Sequence, residues 1–254
     1  MTETPVRTSP TIRRIRHEVR RRTLTIAATE RLTPHVIRLR LKGIELHGFA
    51  SLGADDHLKL IVPGPDGEEV QRDVTPRRHD AETGDLVIDV VDHPGGPAAD
   101  WARAARPGDA ARIGGPRGSS VIEGDIGHWL LIGDEAALPA IGRRIEELPG
   151  GASVTSLVAV PGPADEQRIP TAAAHEALWI HRPLAAAGDP LPYLRVLQGM
   201  ELPERSFVWI AAETGVARTL RTHFTGIGHD QGWMKSSGYW VSGAGDAQIP
   251  AVGD

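Results

Sequence analysis

The stretch HWLLIGDEAALPAIGRRIEEL, residues 128–148, decides the fold. Its opening, HWLLIGD (128–134), is a short apolar run that stops at Gly-Asp, the pattern of a buried strand. EAALPAIGRRIEEL (135–148) follows at once as an amphipathic helix and ends at Pro149-Gly150. A buried strand feeding a helix begins a parallel α/β unit. Downstream the grammar repeats. ASVTSLVAV (152–160), ALWIHR (177–182) and SFVWIAAE (206–213) read as strands, and LPYLRVLQGM (191–200) and TGVARTLRTHF (214–224) as helices. Strands alternating with helices predict an open parallel sheet.

Upstream of Gly124 the pattern differs. TLTIAAT (23–29), HVIRLRLK (35–42), HLKLIV (57–62) and DLVIDVV (85–91) are rich in β-branched residues, and several alternate with period two. VPGPDGEE (62–69) and TGD (83–85) are turn chemistry. PAADWARAA (97–105) is a lone helical segment, and PGDAARIGGPRGSS (107–120) returns to strand and loop. Short strands at this spacing predict an antiparallel barrel. The expected organisation is a basic arm over 1–22, a β-barrel over 23–124 and an α/β domain over 125–254. The seven arginines between Arg7 and Arg22 read as a solvated arm leading into the first strand. Contact with an anionic cofactor is the other reading.

Composition narrows the function. A net charge of −5 argues against nucleic acid as a partner, because neutralising phosphates takes a basic surface. The absence of cysteine removes disulfides, Cys-ligated zinc, iron–sulfur clusters and thiol catalysis. No apolar run is long enough to span a membrane, and the charged N-terminus lacks a signal-peptide core. The expectation is a cytoplasmic protein without a membrane partner. The histidines are scattered without metal-ligand spacing, G-x-S-x-G is absent, and Asp55-Asp56-His57 reads as a surface turn.

In an open α/β sheet, ligands bind at the carboxyl ends of the strands. Gly133-Asp134-Glu135, Val160-Pro161-Gly162 and Ala212-Glu213-Thr214 stand there. The first leads into a helix whose amides suit a phosphate, yet two carboxylates are poor company for a pyrophosphate. The competing reading makes Asp134 a cap and Glu135 a first-turn acid.

Taken in order, ERLTPHVIRLRL, DDHLKLIVP, RDVTPRRHD, GGPAADWARAARPGD, GGPRGS, WLLIGDEAALPAIGRRIEELP, WIAAETGVARTLRTHF and SGYW resemble the siderophore-interacting proteins, a flavoprotein family of the ferredoxin-reductase-like group. The resemblance runs from about Arg22 to Asp246. It implies a Greek-key FAD-binding barrel followed by an NAD(P)H-binding-type α/β domain. It further implies electrons from NAD(P)H or a ferredoxin, stored on FAD and used to reduce Fe(III) in a siderophore.

Carried across residue by residue, Arg72, Thr75 and Arg77 match the family's R-x-Y-[ST]-x-R, with the arginines toward FAD phosphate and Thr75 toward the flavin edge. Val74 stands at the aromatic position, a loss on the order of 1 kcal/mol of stacking. His93, Gly96, Pro97 and Ala98 match the second FAD segment, while Ala99 lacks a hydroxyl whose bond to phosphate is worth roughly 1.5–3 kcal/mol. Asp134, Glu135 and Glu213 match the nucleotide domain, with Ala136 in place of threonine and Ala212 in place of glycine. Lys59, Lys235, Tyr239 and Trp240 are the implied siderophore contacts, and Val241 and Ser242 stand where arginine is common.

Three functional readings follow. One is an FAD-dependent ferric-siderophore reductase. A second is a repurposed scaffold that has lost FAD and redox activity, holds an apolar metabolite between its domains and catalyses a cyclisation or cycloaddition. The third is a siderophore carrier.

Overall fold

A computed structural model describes residues 9–242. The first eight residues of the expected arm and the last twelve of the chain lie outside the described residues. The N-terminal half is antiparallel. Its strands are β1 (Thr11–Arg16), β2 (Arg21–Thr33), β3 (Val36–Lys42), β4 (Leu58–Pro63), β5 (Glu69–Val74), β6 (Pro76–Asp80) and β7 (Asp85–Val91). Then come α1 (Pro97–Ala104), β8 (Ala110–Gly114) and β9 (Gly118–Glu123). Seven of these strands form one curled sheet in the order β5-β4-β8-β2-β3-β7-β6. Its two edges, β5 and β6, are consecutive in the chain, and Thr75 joins them. The curl therefore has its seam at RDVTPRR. Alternation turns Leu24 and Ile26 of β2, Leu39 and Leu41 of β3, and Leu86 and Ile88 of β7 into a single core.

The expected solvated arm is corrected in part. Residues 11–16 form β1, which pairs antiparallel with β9. Backbone pairing needs no apolar side chains, so the TIRRIR stretch keeps its arginines outward while its amides find partners. The strand β2 begins at Arg21, and the Arg22 side chain is buried.

The C-terminal half holds β10 (His128–Asp134), α2 (Leu138–Glu147), β11 (Ser153–Val160), β12 (Ala174–His181) and α3 (Leu191–Leu197). It ends with β13 (Ser206–Glu213), α4 (Thr214–Gly226) and β14 (Met234–Trp240). Its sheet, ordered β12-β11-β10-β13-β14, is parallel throughout. Strands β10, β11 and β13 are almost wholly buried, as parallel strands covered on both faces should be. α2 covers one face through Leu138, Ile141 and Ile145. α3 and α4 cover the other through Tyr193, Leu220 and Phe224.

Reciprocal arginine contacts lock the halves together. Arg143 of α2 is buried; its Nη atoms donate to Ser51 Oγ (2.7 Å), Ser51 O (2.8 Å) and Pro76 O (3.1 Å). From the barrel, Arg77 reaches back with a bidentate pair to Glu146, both contacts 2.6 Å. A second clasp lies at the β2–β3 turn. Asp165, buried after β11, accepts from Thr33 Oγ1 (2.9 Å) and the His35 amide (3.0 Å), and its Oδ2 lies 2.9 Å from His35 Nδ1.

Asp55 and Asp56 overturn the expected surface turn. Asp56 is buried and accepts from Ser51 Oγ (2.9 Å), Gly53 N (3.1 Å) and Ser119 Oγ (2.5 Å). Asp55 pairs with Lys235 and accepts a long 3.4 Å bond from Trp209 Nε1. The Asp55 carboxylate joins the two halves, and that of Asp56 ties together the barrel loop and β9, roles that short-range sequence pattern does not encode.

Candidate functional site

Gly96 opens the first part of the site. It precedes α1 with extended backbone, and Pro97 starts the helix. Pro97 has no N–H to orphan and its fixed φ suits a first turn. A glycine caps without a side chain, so among the described residues no side-chain acceptor covers the first-turn amides of α1. The His93 ring lies over Gly96: a Cβ added there would stand 2.5 Å from His93 Cε1. Glycine at 96 thus keeps the ring close and the helix end bare. Ala98 and Ala99 are buried, so their exposed chemistry toward this end is backbone only. Bare amides at a helix start, with partial positive charge, form an anion cradle.

At the seam, Arg72 is half-buried, and its Nη1 donates to Gln71 O at 3.1 Å. Val74 points inward from β5 into the barrel core, 9% exposed, and Thr75 is buried beside it. Arg77, implied by the resemblance to face phosphate, has its guanidinium committed to Glu146 and packed against Gly142. Lys59 lies on β4, paired with Asp73 at 2.8 Å.

The second part of the site is the carboxyl edge of the parallel sheet, where β10 and β13 lie side by side. Here the chain supplies its own anions. Asp134 Oδ1 accepts from the Ala136 and Ala137 amides (3.0 and 3.3 Å), and its Oδ2 accepts from the Glu213 amide (2.9 Å) and Trp240 Nε1 (2.8 Å). Burial, with the neighbouring Glu135 carboxylate, pushes the Asp134 carboxyl up to about 6. Glu135 forms a buried bidentate pair with Arg182, 2.7 and 3.3 Å. Glu213 caps α4, accepting from Gly215 N (2.5 Å) and Val216 N (3.0 Å), and its Oε1 accepts from Ser242 N (3.2 Å). Ala136 is half-buried at the turn and Ala212 is buried within β13. Tyr193, missed from sequence, donates its hydroxyl to Gly133 O at 3.0 Å.

Tyr239 and Lys235, implied as siderophore contacts, sit on β14 against the domain junction. Tyr239 packs edge-on to Trp209, and its hydroxyl is buried with no hydrogen-bond partner. Burial, with Asp55 nearby, drives its pKa well above the usual phenol value. Lys235 is spoken for by Asp55. Among the described residues, no group of three His, Cys, Asp or Glu is placed to hold a metal ion, and no helix is long and apolar enough to cross a membrane.

Comparison with known proteins meets this geometry at both lobes. The siderophore-interacting FAD-binding domain profile matches residues 25–72 and 65–120, and the siderophore-interacting protein profile matches residues 126–243. The chain belongs to the siderophore-interacting protein family. A family relative, the NADPH-dependent ferric-chelate reductase of Escherichia coli K12, is 32% identical over 89% of this chain and 95% of its own length. A siderophore utilization protein from T. fusca is 35% identical in its crystal structure, with a TM-score of 0.86 over 94% of this chain and 99% of that one. The siderophore-interacting protein SipS from Aeromonas hydrophila, 26% identical, superposes with a TM-score of 0.76 over 89% of this chain and 93% of its own. The β-barrel plus parallel α/β architecture read from the sequence is the fold of this family.

Several structural partners were not visible in the sequence. Glu146, Arg182 and Asp165 complete the ion pairs of Arg77, Glu135 and His35. The RRIEE run carries a separate, local pair, Arg143 with Glu147 at i,i+4. No local signal points to Asp165, which meets its partners 130 and 132 positions away.

Proposed function

We propose that this protein is an FAD-dependent reductase of ferric siderophores, with electrons from NAD(P)H or a ferredoxin. The observation that carries the reading is the uncovered start of α1 under the His93–Gly96 contact, in a lobe matched by an FAD-binding domain profile. The Ala98 and Ala99 amides and the Arg72 guanidinium suit the FAD phosphates, where charge-assisted bonds are strong. Those residues fit the anionic end of the group. Thr75 stands at the position that the resemblance gives to the ring end, while the neighbouring Val74 side chain is turned into the barrel core. FAD, when bound, supplies the redox chemistry, receiving electrons from the donor and passing them to Fe(III). Iron(II) is held less tightly by hard oxygen ligands, so reduction releases it. The protein holds the cofactor, and the Arg77–Glu146 and Arg143–Ser51 contacts keep the α/β lobe against the barrel seam. Its proposed partner is a ferric siderophore in the cytoplasm, with no nucleic acid and no membrane.

A visible spectrum of the purified protein, before and after added FAD, tests this. The expected result is flavin absorption that NADPH bleaches and a ferric siderophore restores, with Fe(II) trapped by a chromogenic chelator. A colourless protein that takes up no FAD sinks the reading and favours the apolar-ligand scaffold.

A further inference from the structure

Two strings of the sequence, DDHLKLIVP and GGPRGS, meet in the structure through Asp56 of the first and Ser119 of the second. They belong to a continuous line of hydrogen bonds. His17, which follows β1, has its Nε2 2.8 Å from Ser119 Oγ. Ser119 Oγ donates to Asp56 Oδ2 (2.5 Å), and Ser51 Oγ donates to the same oxygen (2.9 Å). Arg143 Nη1 donates to Ser51 Oγ (2.7 Å) and to Pro76 O (3.1 Å). Pro76 directly follows Thr75 in the RDVTPRR seam. Ser51, Asp56, Ser119 and Arg143 are buried, and His17 is half-buried. The line thus runs from the arm through the barrel to α2, and from there back to the seam.

Its polarity is fixed. A hydroxyl has one proton to give and two lone pairs to receive with, and a carboxylate only accepts. Ser119 Oγ gives its proton to Asp56 and accepts from the Leu52 amide (2.9 Å). One lone pair is left, so His17 donates to it through Nε2–H. Ser51 likewise gives to Asp56 and receives from Arg143. Asp56 Oδ2 takes a further bond from Gly53 N (3.1 Å). Reversing any member leaves a buried donor or acceptor unmet, which is costly. A fully satisfied buried network is stiff, so a change at the His17 end reaches the Arg143 end.

We propose that His17 is a positioning residue for the RDVTPRR seam. Its Nε2–H closes the line that sets Arg143 against Pro76 O, and so places the strand edge at which the reductase reading, on which this role rests, puts FAD.

Contiguity amounts to coupling only when both ends respond together. The test therefore changes one end and reads the other, by amide hydrogen exchange on the whole chain without FAD. His17→Leu removes the donor, and His17→Gln keeps an N–H donor. Exchange in β6 and α2 should quicken about threefold or more in His17→Leu, the worth of one hydrogen bond, and return close to wild type in His17→Gln. Ser51→Ala cuts the line between Asp56 and Arg143 and should give the same rise. Adding His17→Leu to Ser51→Ala should add nothing further in β6 and α2. Exchange that quickens only in β1 and β9, a Gln variant as fast as the Leu variant, or an additive double variant overturns the proposal. With FAD added, His17→Leu should also change the visible circular dichroism of the bound flavin, which loosening of the arm alone does not move; an unchanged flavin signal overturns the link to the cofactor. If the exchange pattern holds while wild type takes up no FAD, the line stands and the reductase reading falls.

Discussion

The start of α1 in the barrel lobe and the start of α4 in the α/β lobe face opposite ways in charge. In the barrel lobe, α1 begins at a glycine and no side chain covers its amides. In the α/β lobe, Asp134 covers the Ala136 and Ala137 amides and Glu213 covers those of Gly215 and Val216. A bare helix start invites a phosphate, and a carboxylate-capped one has already spent the same dipole on the protein's own anion. The contrast supports placing the phosphates of the proposed FAD at the first lobe. At the start of α4 in the second lobe the amides are met by Glu213, and under the proposed function a nucleotide donor there would compete with that carboxylate.

The contrast presupposes that the lobes act as one body. Arg143→Ala removes the guanidinium that satisfies Ser51 O and Pro76 O. Stability should fall by roughly 3 kcal/mol, read from urea midpoints; an unchanged midpoint would mean the lobes do not depend on this contact. Next comes Gly96→Asp, which gives α1 the cap that α4 has. FAD affinity should drop on the order of thirtyfold, the worth of a charged hydrogen bond. Undiminished FAD binding in a flavin titration would place the phosphates elsewhere.

Val74→Tyr probes the ring end of the same lobe. FAD should bind about tenfold tighter in equilibrium titration, against some overpacking where Val74 now fills the barrel core. No gain in affinity would mean that the space beside Val74 does not meet the flavin. In the other lobe, Glu213→Ala uncaps α4 and should cost about 1 kcal/mol, measured by thermal denaturation; no loss would make the cap incidental.

The charge state of Asp134 ties stability to pH. Asp134 holds its proton up to about 6 in the folded chain, above the ordinary carboxylate range. The folded state therefore binds more protons than the unfolded one between about pH 4 and pH 6. Stability contributed by this group is present below that window, falls as pH rises through it, and levels off above. The difference between wild type and Asp134→Asn should show that slope, about 3 kcal/mol in total, in denaturation midpoints. A difference that is flat or rises with pH would contradict the assigned burial.

Sequence pattern was a good guide wherever one side of an element is apolar. DLVIDVV (85–91) and SFVWIAAE (206–213) coincide with β7 and β13, because burial imposes a period or a continuous run. It was a poor guide at β5, β6 and β14, whose EVQRDV, PRRHD and MKSSGYW carry neither. Those are the edge strands of their sheets, and edges take their place from a neighbour's hydrogen bonds more than from their own side chains. The site divides in the same way. The resemblance singled out RDVTPRR, Gly96 and Asp134, since each is a local string. Lys59, Lys235 and Arg77, ligand-facing by the resemblance, are met in the structure by Asp73, Asp55 and Glu146.

By itself, then, the sequence determined two lobes, their order, the strands that carry the cores and the family. Hydrophobic periodicity and short motifs are local properties of the chain. Only the tertiary structure decided which charges remain available. Whether an arginine is a strut or a ligand depends on a partner up to 180 positions away, as Asp55 is from Lys235. No local pattern records that pairing, because electrostatic energy is set by distance through space and burial, and both come only with the fold.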